Sequence, residues 1–464
     1  MGAVRFVMTK CGESLRARLA PLEIRGAAFS VAVTLLLAVG LAGCDGADAA
    51  GDANDIGEVG ADTMLRRMAA ELLPAAELRS GLPARGPIRL ATRSREDLEA
   101  YLVAQMTEQL PPDRLAAVVR TYARLGLVPE DIDLEPLLRA LLLEQVVGYY
   151  DPARDTLYVV DRVEASQVEP VLLHEIVHAL QDQYVDLDSL MQANLETNDR
   201  GTAAQAALEG HATFAMLEWQ LADLMGGEAD LTALPGLEGL LGDDPLAAAG
   251  IEMPVLGEAP AVIRESLLFP YLGGLVFLQK HWAGSWGRVP PLGPDMPVST
   301  EQVLHPDRFE PGQVDMPTDT RFLEEPPPGW TEVYADNLGE LETRLLLREF
   351  LTDREEADRA AAGWDGDQFR LLDNAAGEVF VWVTVWDTDR DALEFETGVR
   401  RALAERYGGD PAAEGREIEV LRGSEGRRPV VVVWDLPLGL DRADGLEGLT
   451  HFDLVEQAVP QAVQ

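Results

Sequence analysis

Cysteine is almost absent from this sequence. The chain has 464 residues and two cysteines, Cys11 and Cys44, both close to the N-terminus. No disulfide framework can therefore form in the rest of the chain. A chain of this length does not need one, because the fraction of surface buried on folding rises with size. The sequence predicts a large domain that is stable without disulfides.

Basic residues are also scarce. Lys and Arg together number 38 against 80 Asp and Glu, which gives a formal net charge of −42, and the two lysines are Lys10 and Lys280. So acidic a surface repels nucleic acid and anionic lipid, and we expect neither as a partner. The charge favours cationic over anionic substrates. A salty habitat and a GC-rich genome account for the acidic surplus equally well.

One apolar stretch, from Val171 to Gln183, contains two of the six histidines in the motif His-Glu-Ile-Val-His. On a helix, His174 and His178 lie one turn apart on the same face and can share a metal ion. Glu175 lies about 100° around that helix, where it can reach a metal-bound water without binding the metal. The alternative is a buried helix with two hydrogen-bonded histidines. We interpret the stretch as the zinc helix of a hydrolase.

The third metal ligand decides the kind of site. An extended three-histidine motif is excluded, because Gln181 and Tyr184 stand where it needs Gly and His. Glu209 lies in the middle of a second, apolar helical segment, where a carboxylate needs a partner such as a metal. His211 is the rival ligand, but it lies about 200° around the helix from Glu209, so both cannot face one ion. We predict Glu209; Asp182 is a further candidate that otherwise caps a helix or supports a ligand.

These residues carry a resemblance to a known family. The chain resembles the glutamate-zincins, thermolysin-like in logic, and among them a group of uncharacterised bacterial metallopeptidases. The resemblance implies a mostly helical, zincin-like α+β fold with a small edge-strand sheet beside the zinc helix. Four segments carry it: Glu144–Pro152, His174–Gln183, Leu208–Thr213 and Ser299–Pro306.

The chain departs from that family at two positions. Thr213 stands where the third-ligand helix of thermolysin-like enzymes carries Asp, and His211 stands where many relatives carry an acidic residue. A metal-binding histidine usually depends on a hydrogen-bond partner for its second ring nitrogen. In this chain that partner must come from elsewhere.

Two further segments bear on a peptidase. Residues 145–150 and 156–161 are rich in Val and Tyr and flank a turn, so they predict a hairpin. In the resembled families a strand at this place is an open edge that binds extended peptide, whereas an ordinary structural hairpin is the alternative.

His305 is a candidate catalytic donor to a developing oxyanion; a structural histidine bound to a backbone carbonyl is the alternative. Tyr149, Tyr150, Tyr184 and Tyr271 are weaker donor candidates.

The N-terminus predicts export. A basic stretch, an apolar run of fewer than 18 residues and the ending Leu-Ala-Gly-Cys at 41–44 make a secretory signal that resembles a bacterial lipobox. In that interpretation Cys44 is acylated and anchors the protein to the cell envelope, outside the cytoplasm. An ordinary signal peptide cut nearby is the alternative.

The rest of the chain divides by composition. We predict a signal peptide at 1–43, an acidic flexible tether at 44–62, a zincin-like domain at 63–336 and a small α+β module at 337–464. A Gly-, Pro- and acid-rich stretch at 226–262 predicts a mobile insertion. In the C-terminal module, five aromatic residues predict a core rather than a ligand platform: Trp364, Phe369, Phe380, Trp382 and Trp386.

Together these features predict a membrane-anchored zinc metallopeptidase. His174, His178 and Glu209 would hold Zn²⁺, and Glu175 would take a proton from the attacking water. Its partners would be a peptide or protein substrate and the membrane that holds its lipid. The alternatives are a non-catalytic zinc-binding envelope lipoprotein and a zinc amidase that acts on the cell wall.

Overall fold

The computed structural model of the chain describes residues 63–145, 147–160, 165–234, 237, 253–283, 288–310, 314–442 and 446–457. The predicted signal peptide, Cys44 and the tether lie outside the described residues, as do residues 235, 236 and 238–252 of the predicted insertion at 226–262. The described part is a mixed α+β structure with thirteen α-helices and ten strands.

Nine of these helices precede residue 283 and form the helical half of the molecule. They are α1 (Thr63–Ser80), α2 (Arg95–Gln109), α3 (Pro112–Leu125), α4 (Leu134–Gln145), α5 (Ala165–Asp182), α6 (Leu187–Asn194), α7 (Asn198–Met225), α8 (Pro254–Glu258) and α9 (Ala261–Trp282). The others are α10 (Thr300–Leu304), α11 (Gly339–Phe350), α12 (Arg354–Ala361) and α13 (Asp389–Arg406).

The strands form three sheets within the described residues. A three-stranded sheet has the order β1-β3-β2, with β1 at Leu90–Arg93, β2 at Gly148–Asp151 and β3 at Thr156–Val160. A two-stranded sheet pairs β4 (Thr318–Phe322) with β10 (Phe452–Glu456). A five-stranded sheet has the order β5-β6-β7-β9-β8, from β5 (Thr331–Asp336), β6 (Trp364–Asn374), β7 (Gly377–Trp386), β8 (Arg416–Glu425) and β9 (Arg428–Pro437).

The predicted hairpin before α5, the helix that carries His174 and His178, is confirmed. Strands β2 and β3 pair antiparallel, with Tyr149 opposite Tyr158, and β1 pairs with the far side of β3 in parallel. The turn between them places Asp155 at a φ of 49°. Asp is one of the few residues other than Gly that adopts this left-handed conformation readily. Because β3 lies between β1 and β2, strand β2 is an edge of its sheet within the described residues. It lies against α5.

Helix α7 is the centre of the helical half. The side chain of Thr197 accepts a hydrogen bond from the N–H of Arg200 at the start of the helix, and Gly226 ends it with a φ of 64°. Its middle is rich in small residues, which lets neighbouring helices approach closely. At the crossing with α9, Gly210 lies directly against the backbone of Gly274.

Helix α9 is long and apolar enough to cross a membrane by length and composition. However, 56% of its most apolar window is buried inside the protein. It packs on α7 with Phe277 and Leu278 fully enclosed. These contacts are those of a core helix.

The C-terminal part contains the strands and helix that its sequence predicts. The strand patterns at 379–386 and 430–434 fall in β7 and β9, and the helical pattern at 391–407 falls in α13. The aromatic cluster is core, because each of its five members is at most 2% exposed. Strand β5 precedes residue 337, the predicted start of this module, and is nevertheless the outer strand of its five-stranded sheet.

The glycine contact between α7 and α9 predicts a stability effect. A methyl group at Gly210 would overlap the backbone of Gly274, so Gly210→Ala should lower the free energy of unfolding by about 1–3 kcal/mol or more. Denaturant unfolding followed by circular dichroism measures this. Gly227→Ala is the control, because a methyl group there meets no atom within 4 Å. Equal stability of the two variants would contradict the close helix contact.

Candidate metal centre

Helix α5 presents two histidines one turn apart to the interior. His174 is 4% exposed, and the side chain of His178 is 12% exposed. Their Nε2 atoms lie 3.0 Å apart, and the two rings meet edge to face. The apolar residues around them, including Leu172 and Ile176, are fully buried. The i, i+4 spacing therefore brings both Nε2 atoms to one point in a largely buried place.

Helix α7 brings a carboxylate to the same point. The Oε2 atom of Glu209 lies 3.1 Å from Nε2 of His174 and 3.3 Å from Nε2 of His178. Glu209 is 3% exposed. The three residues form a group that could hold a metal ion, and it is the group that the sequence predicts. Ligand atoms on a tetrahedral zinc, at bond lengths of about 2.0–2.1 Å, lie roughly 3.3 Å apart, so the observed spacing fits.

The charges of the three groups depend on one another. Burial lowers the pKa of His178, but the Glu209 carboxylate outweighs burial and raises this pKa to about 9. Burial would raise the pKa of Glu209, yet the positive charge at His178 holds it well below its ordinary value. Burial lowers the pKa of His174. A cation between the imidazoles and the carboxylate would take the place of the proton on His178, so its binding should release that proton.

Glu175 lies beside the group and is held by the edge strand. Its Oε2 accepts a hydrogen bond of 2.9 Å from the backbone N–H of Tyr150 in β2. Burial, with a smaller contribution from the nearby Glu209, raises the pKa of Glu175 to about 8. The other carboxylate oxygen makes no hydrogen bond to any described residue. Glu175 is therefore fixed through one oxygen and offers the other.

Asp182, the last residue of α5, binds the hairpin and the start of α6 and does not join the metal group. Its Oδ1 accepts the N–H of Leu187 at 2.9 Å, and its Oδ2 lies 2.6 Å from the hydroxyl of Tyr150. Through Tyr150, Asp182 braces the strand whose N–H holds Glu175. Of the two alternatives to metal binding, helix capping and support of a ligand, the described contacts fit capping, because Asp182 accepts the first N–H of α6.

His211 also lies away from the metal group. Its Nε2 is 2.9 Å from the carbonyl oxygen of Ser80, and its Nδ1 is 3.0 Å from Nε2 of Gln181. Burial lowers the pKa of His211 to about 4, so the ring is neutral near pH 7. The structure therefore places Glu209, and not His211, with the two histidines of α5.

The structure separates the candidate donors. His305 follows α10, and its Nε2 lies 2.8 Å from Oε1 of Glu340. None of its described contacts reaches the metal group. Tyr271 on α9 is 4% exposed and stacks on His174 with ring centroids 6.2 Å apart. Of the aromatic candidates in the sequence, Tyr271 thus lies against a ligand of the metal group.

Gln181 is a residue that the sequence analysis missed as a functional candidate. Its position matters in the sequence only because the extended three-histidine motif would carry Gly there. Its Oε1 lies 2.8 Å from Nδ1 of His178. The i, i+3 spacing to His178 on one helix was the signal that could have revealed this contact.

A second acidic group exists in the described part of the chain, formed by Glu301, Asp315 and Asp387. The guanidinium of Arg308 already lies among all three carboxylates, 2.9 Å from Glu301 and 2.6 Å from Asp315. An arginine satisfies the charge that a metal would otherwise balance. This group is an ion-pair cluster.

Comparison with known families gives a match in the C-terminal part of the chain and none over the metal group. Residues 327–435 match a domain of unknown function (DUF8575), which leaves the metal group outside the match. No curated protein matches the chain. A solved structure titled "putative hydrolase with a novel fold", from Chloroflexus aurantiacus, matches at 18% identity over 53% of this chain and 87% of its own, with a TM-score of 0.30. So low a TM-score does not establish a common fold.

The ligand assignment predicts the effect of removing Glu209. Glu209→Ala should weaken Zn²⁺ binding by more than the roughly 10–100-fold that loss of an outer hydrogen-bond partner costs. Competition with a chromogenic chelator measures the affinity. Asp223→Ala is the control, since Asp223 is an exposed acid on the same helix. If His211→Ala lost more affinity than Glu209→Ala, the third ligand would be His211.

Proposed function

We propose that this chain is a zinc-dependent metallopeptidase of zincin-like architecture. The observation that carries the proposal is the meeting of His174, His178 and Glu209 within 3.0–3.3 Å, with Glu175 on the adjoining helix position. Two imidazoles and one carboxylate are a known catalytic zinc set, which keeps a further position open. A bound Zn²⁺ would supply Lewis acidity to a carbonyl and acidify a water molecule.

Glu175 is the general base in this proposal. Its free oxygen would accept a proton from the attacking water and then pass it to the leaving amine. The N–H of Tyr150 holds the other oxygen at 2.9 Å, so the carboxylate cannot turn away. Burial raises the pKa of Glu175 when no metal is bound; the charge of a bound Zn²⁺ would lower this pKa again and leave the carboxylate able to accept a proton near neutral pH.

The edge of β2 supports a peptide as the substrate. The N–H of Val160 donates to the carbonyl of Val147, and bonded pairs alternate along an antiparallel ladder. The backbone groups of Gly148 and Tyr150 therefore point away from β3, in agreement with the bond from Tyr150 to Glu175. Every residue of β2 is buried, so an extended peptide that paired with Gly148 and with the carbonyl of Tyr150, beside Glu175, would first have to displace the residues that cover this edge.

The cellular setting belongs to the same proposal. We propose that Cys44 is acylated and that the enzyme works in the bacterial cell envelope, outside the cytoplasm. The lipobox-like ending at residues 41–44 supports the anchor. The acidic chain supports peptide substrates of positive charge.

The proposed base predicts a variant that separates binding from chemistry. Glu175→Gln keeps the size of the side chain and should retain bound Zn²⁺, while hydrolysis falls to background because an amide cannot accept the proton. A peptide-library digest followed by mass spectrometry, with elemental analysis of the same sample, measures both. Glu169→Gln is the control, since Glu169 is exposed on the same helix. Unchanged hydrolysis in Glu175→Gln would sink the peptidase mechanism.

The position of Tyr271 predicts which residue donates to the oxyanion. We propose that its hydroxyl does so, and Tyr271→Phe should lower kcat by roughly 10²–10³-fold with little change in metal content. His305→Gln, whose histidine is held by Glu340 instead, should retain most of kcat. Steady-state kinetics on one cleaved peptide compares the two. A large loss in His305→Gln and none in Tyr271→Phe would give the role to His305.

A further inference from the structure

A chain of hydrogen bonds runs through the buried interior from α1 to the ring of His178. The carbonyl oxygen of Ser80, the last residue of α1, lies 2.9 Å from Nε2 of His211. Nδ1 of His211 lies 3.0 Å from Nε2 of Gln181, and Oε1 of Gln181 lies 2.8 Å from Nδ1 of His178. Nε2 of Gln181 is also 3.0 Å from the carbonyl oxygen of Leu208. Gln181 and His211 are both fully buried.

The two carbonyl groups determine the direction of every bond in this chain. A carbonyl oxygen only accepts, so Nε2 of His211 must carry a hydrogen for Ser80; the amide nitrogen of Gln181 only donates, so Nδ1 of His211 must be the bare nitrogen that accepts from it. The amide of Gln181 then donates one hydrogen to that nitrogen and the other to Leu208. Its oxygen is left facing His178, whose Nδ1 must therefore donate. Nε2 of His178 remains the nitrogen that faces Glu209 and His174.

The end of α1 is suited to begin this chain. The last carbonyls of a helix lack partners within the helix and carry its partial negative charge. Ser80 uses one of them for His211, and the ring of His211 is held edge to face against Trp282 at 5.6 Å. Three helices, α1, α5 and α7, thus converge on a single ring orientation.

We propose that Gln181 and His211 are positioning residues of the metal centre, and that they act by fixing the tautomer and orientation of His178. The inference rests on the proposed zinc site. Gln181 is neutral, so it orients the ligand without adding the negative charge that a carboxylate partner would bring. His211 acts one step further out, because its bare Nδ1 keeps the amide of Gln181 from turning over. We call the hydrogen-bonded series from Ser80 through His211 and Gln181 to His178 the relay. The relay replaces the support that the chain lacks at Thr213.

Metal affinity in three variants tests the relay. Gln181→Met keeps the length of the side chain and removes its hydrogen bonds, and it should weaken Zn²⁺ binding about 10–100-fold. His211→Phe keeps an aromatic ring against Trp282 and should also weaken binding. Because His211 acts through Gln181, the double variant should bind as weakly as Gln181→Met alone. Gln183→Met is the control, since Gln183 bonds to the backbone of Arg85 and Gly86 instead.

Additive losses in the double variant, or unchanged affinity in Gln181→Met, would overturn the proposal. A second measurement needs no substitution: long-range ¹H–¹⁵N NMR of the full-length protein reports the tautomer of each histidine. We expect hydrogen on Nδ1 of His178 and on Nε2, not Nδ1, of His211. The opposite tautomer at His211 would overturn the relay. Failure of the unaltered protein to bind zinc would instead contradict the proposed function, and the His211 tautomer tells the two failures apart.

Discussion

The carboxylate of Glu209 lies inside an alanine-rich helix, and its charge must be balanced there. Burial of an isolated charge in such a place costs so much free energy that the protonated, neutral form of the carboxyl is favoured. Two imidazoles within 3.3 Å provide the balance in the described structure. The next residue along α7, Gly210, lies directly against the backbone of Gly274, so Glu209 stands beside the close contact of α7 with α9. The group that could hold a metal ion thus depends on the balanced charge of Glu209.

Buried polar groups at the start of α7 also need partners. Its first N–H groups need acceptors, and two of them come from the C-terminal half: Asp336 accepts the N–H of Asn198 at 2.9 Å, and Asn337 accepts that of Asp199 at 3.1 Å. The side chain of Asp199 in turn bonds to Thr300. The last residue of β5 and the residue after it thus cap the helix that carries Glu209. The five-stranded sheet is tied to the metal centre through the backbone of one helix.

The parts of the site that lie close in sequence could be predicted from it. The four-residue spacing of His174 and His178 fixes one helical face, and the apolar setting of Glu209 allowed few partners, so the three were predicted and then found together. The hairpin at β2 and β3 was predicted for the same reason. The stacking of Tyr271 on His174 and the anchoring of His211 on Ser80 could not be predicted, because they depend on how α9 and α1 pack. No local pattern reports the contact between residues 80 and 211.

The order of the five-stranded sheet was not predictable either. Periodicity located β7, β9 and α13, but strand order depends on contacts between distant segments. The pairing of β4 with β10, for example, joins residues near 320 with residues near 454. His305 also shows that sequence alone does not determine which residue a side chain contacts. Its sequence setting fits a donor, and the tertiary structure gives it Glu340 as a partner.

The central claim is that two histidines of α5 and one glutamate of α7 bind zinc directly. X-ray absorption spectroscopy at the zinc edge of the full-length protein tests it most directly. We expect a shell of nitrogen and oxygen atoms at about 2.0–2.1 Å, with the outer-shell scattering of two imidazoles. Scattering from three imidazoles would place His211 on the metal and contradict the account.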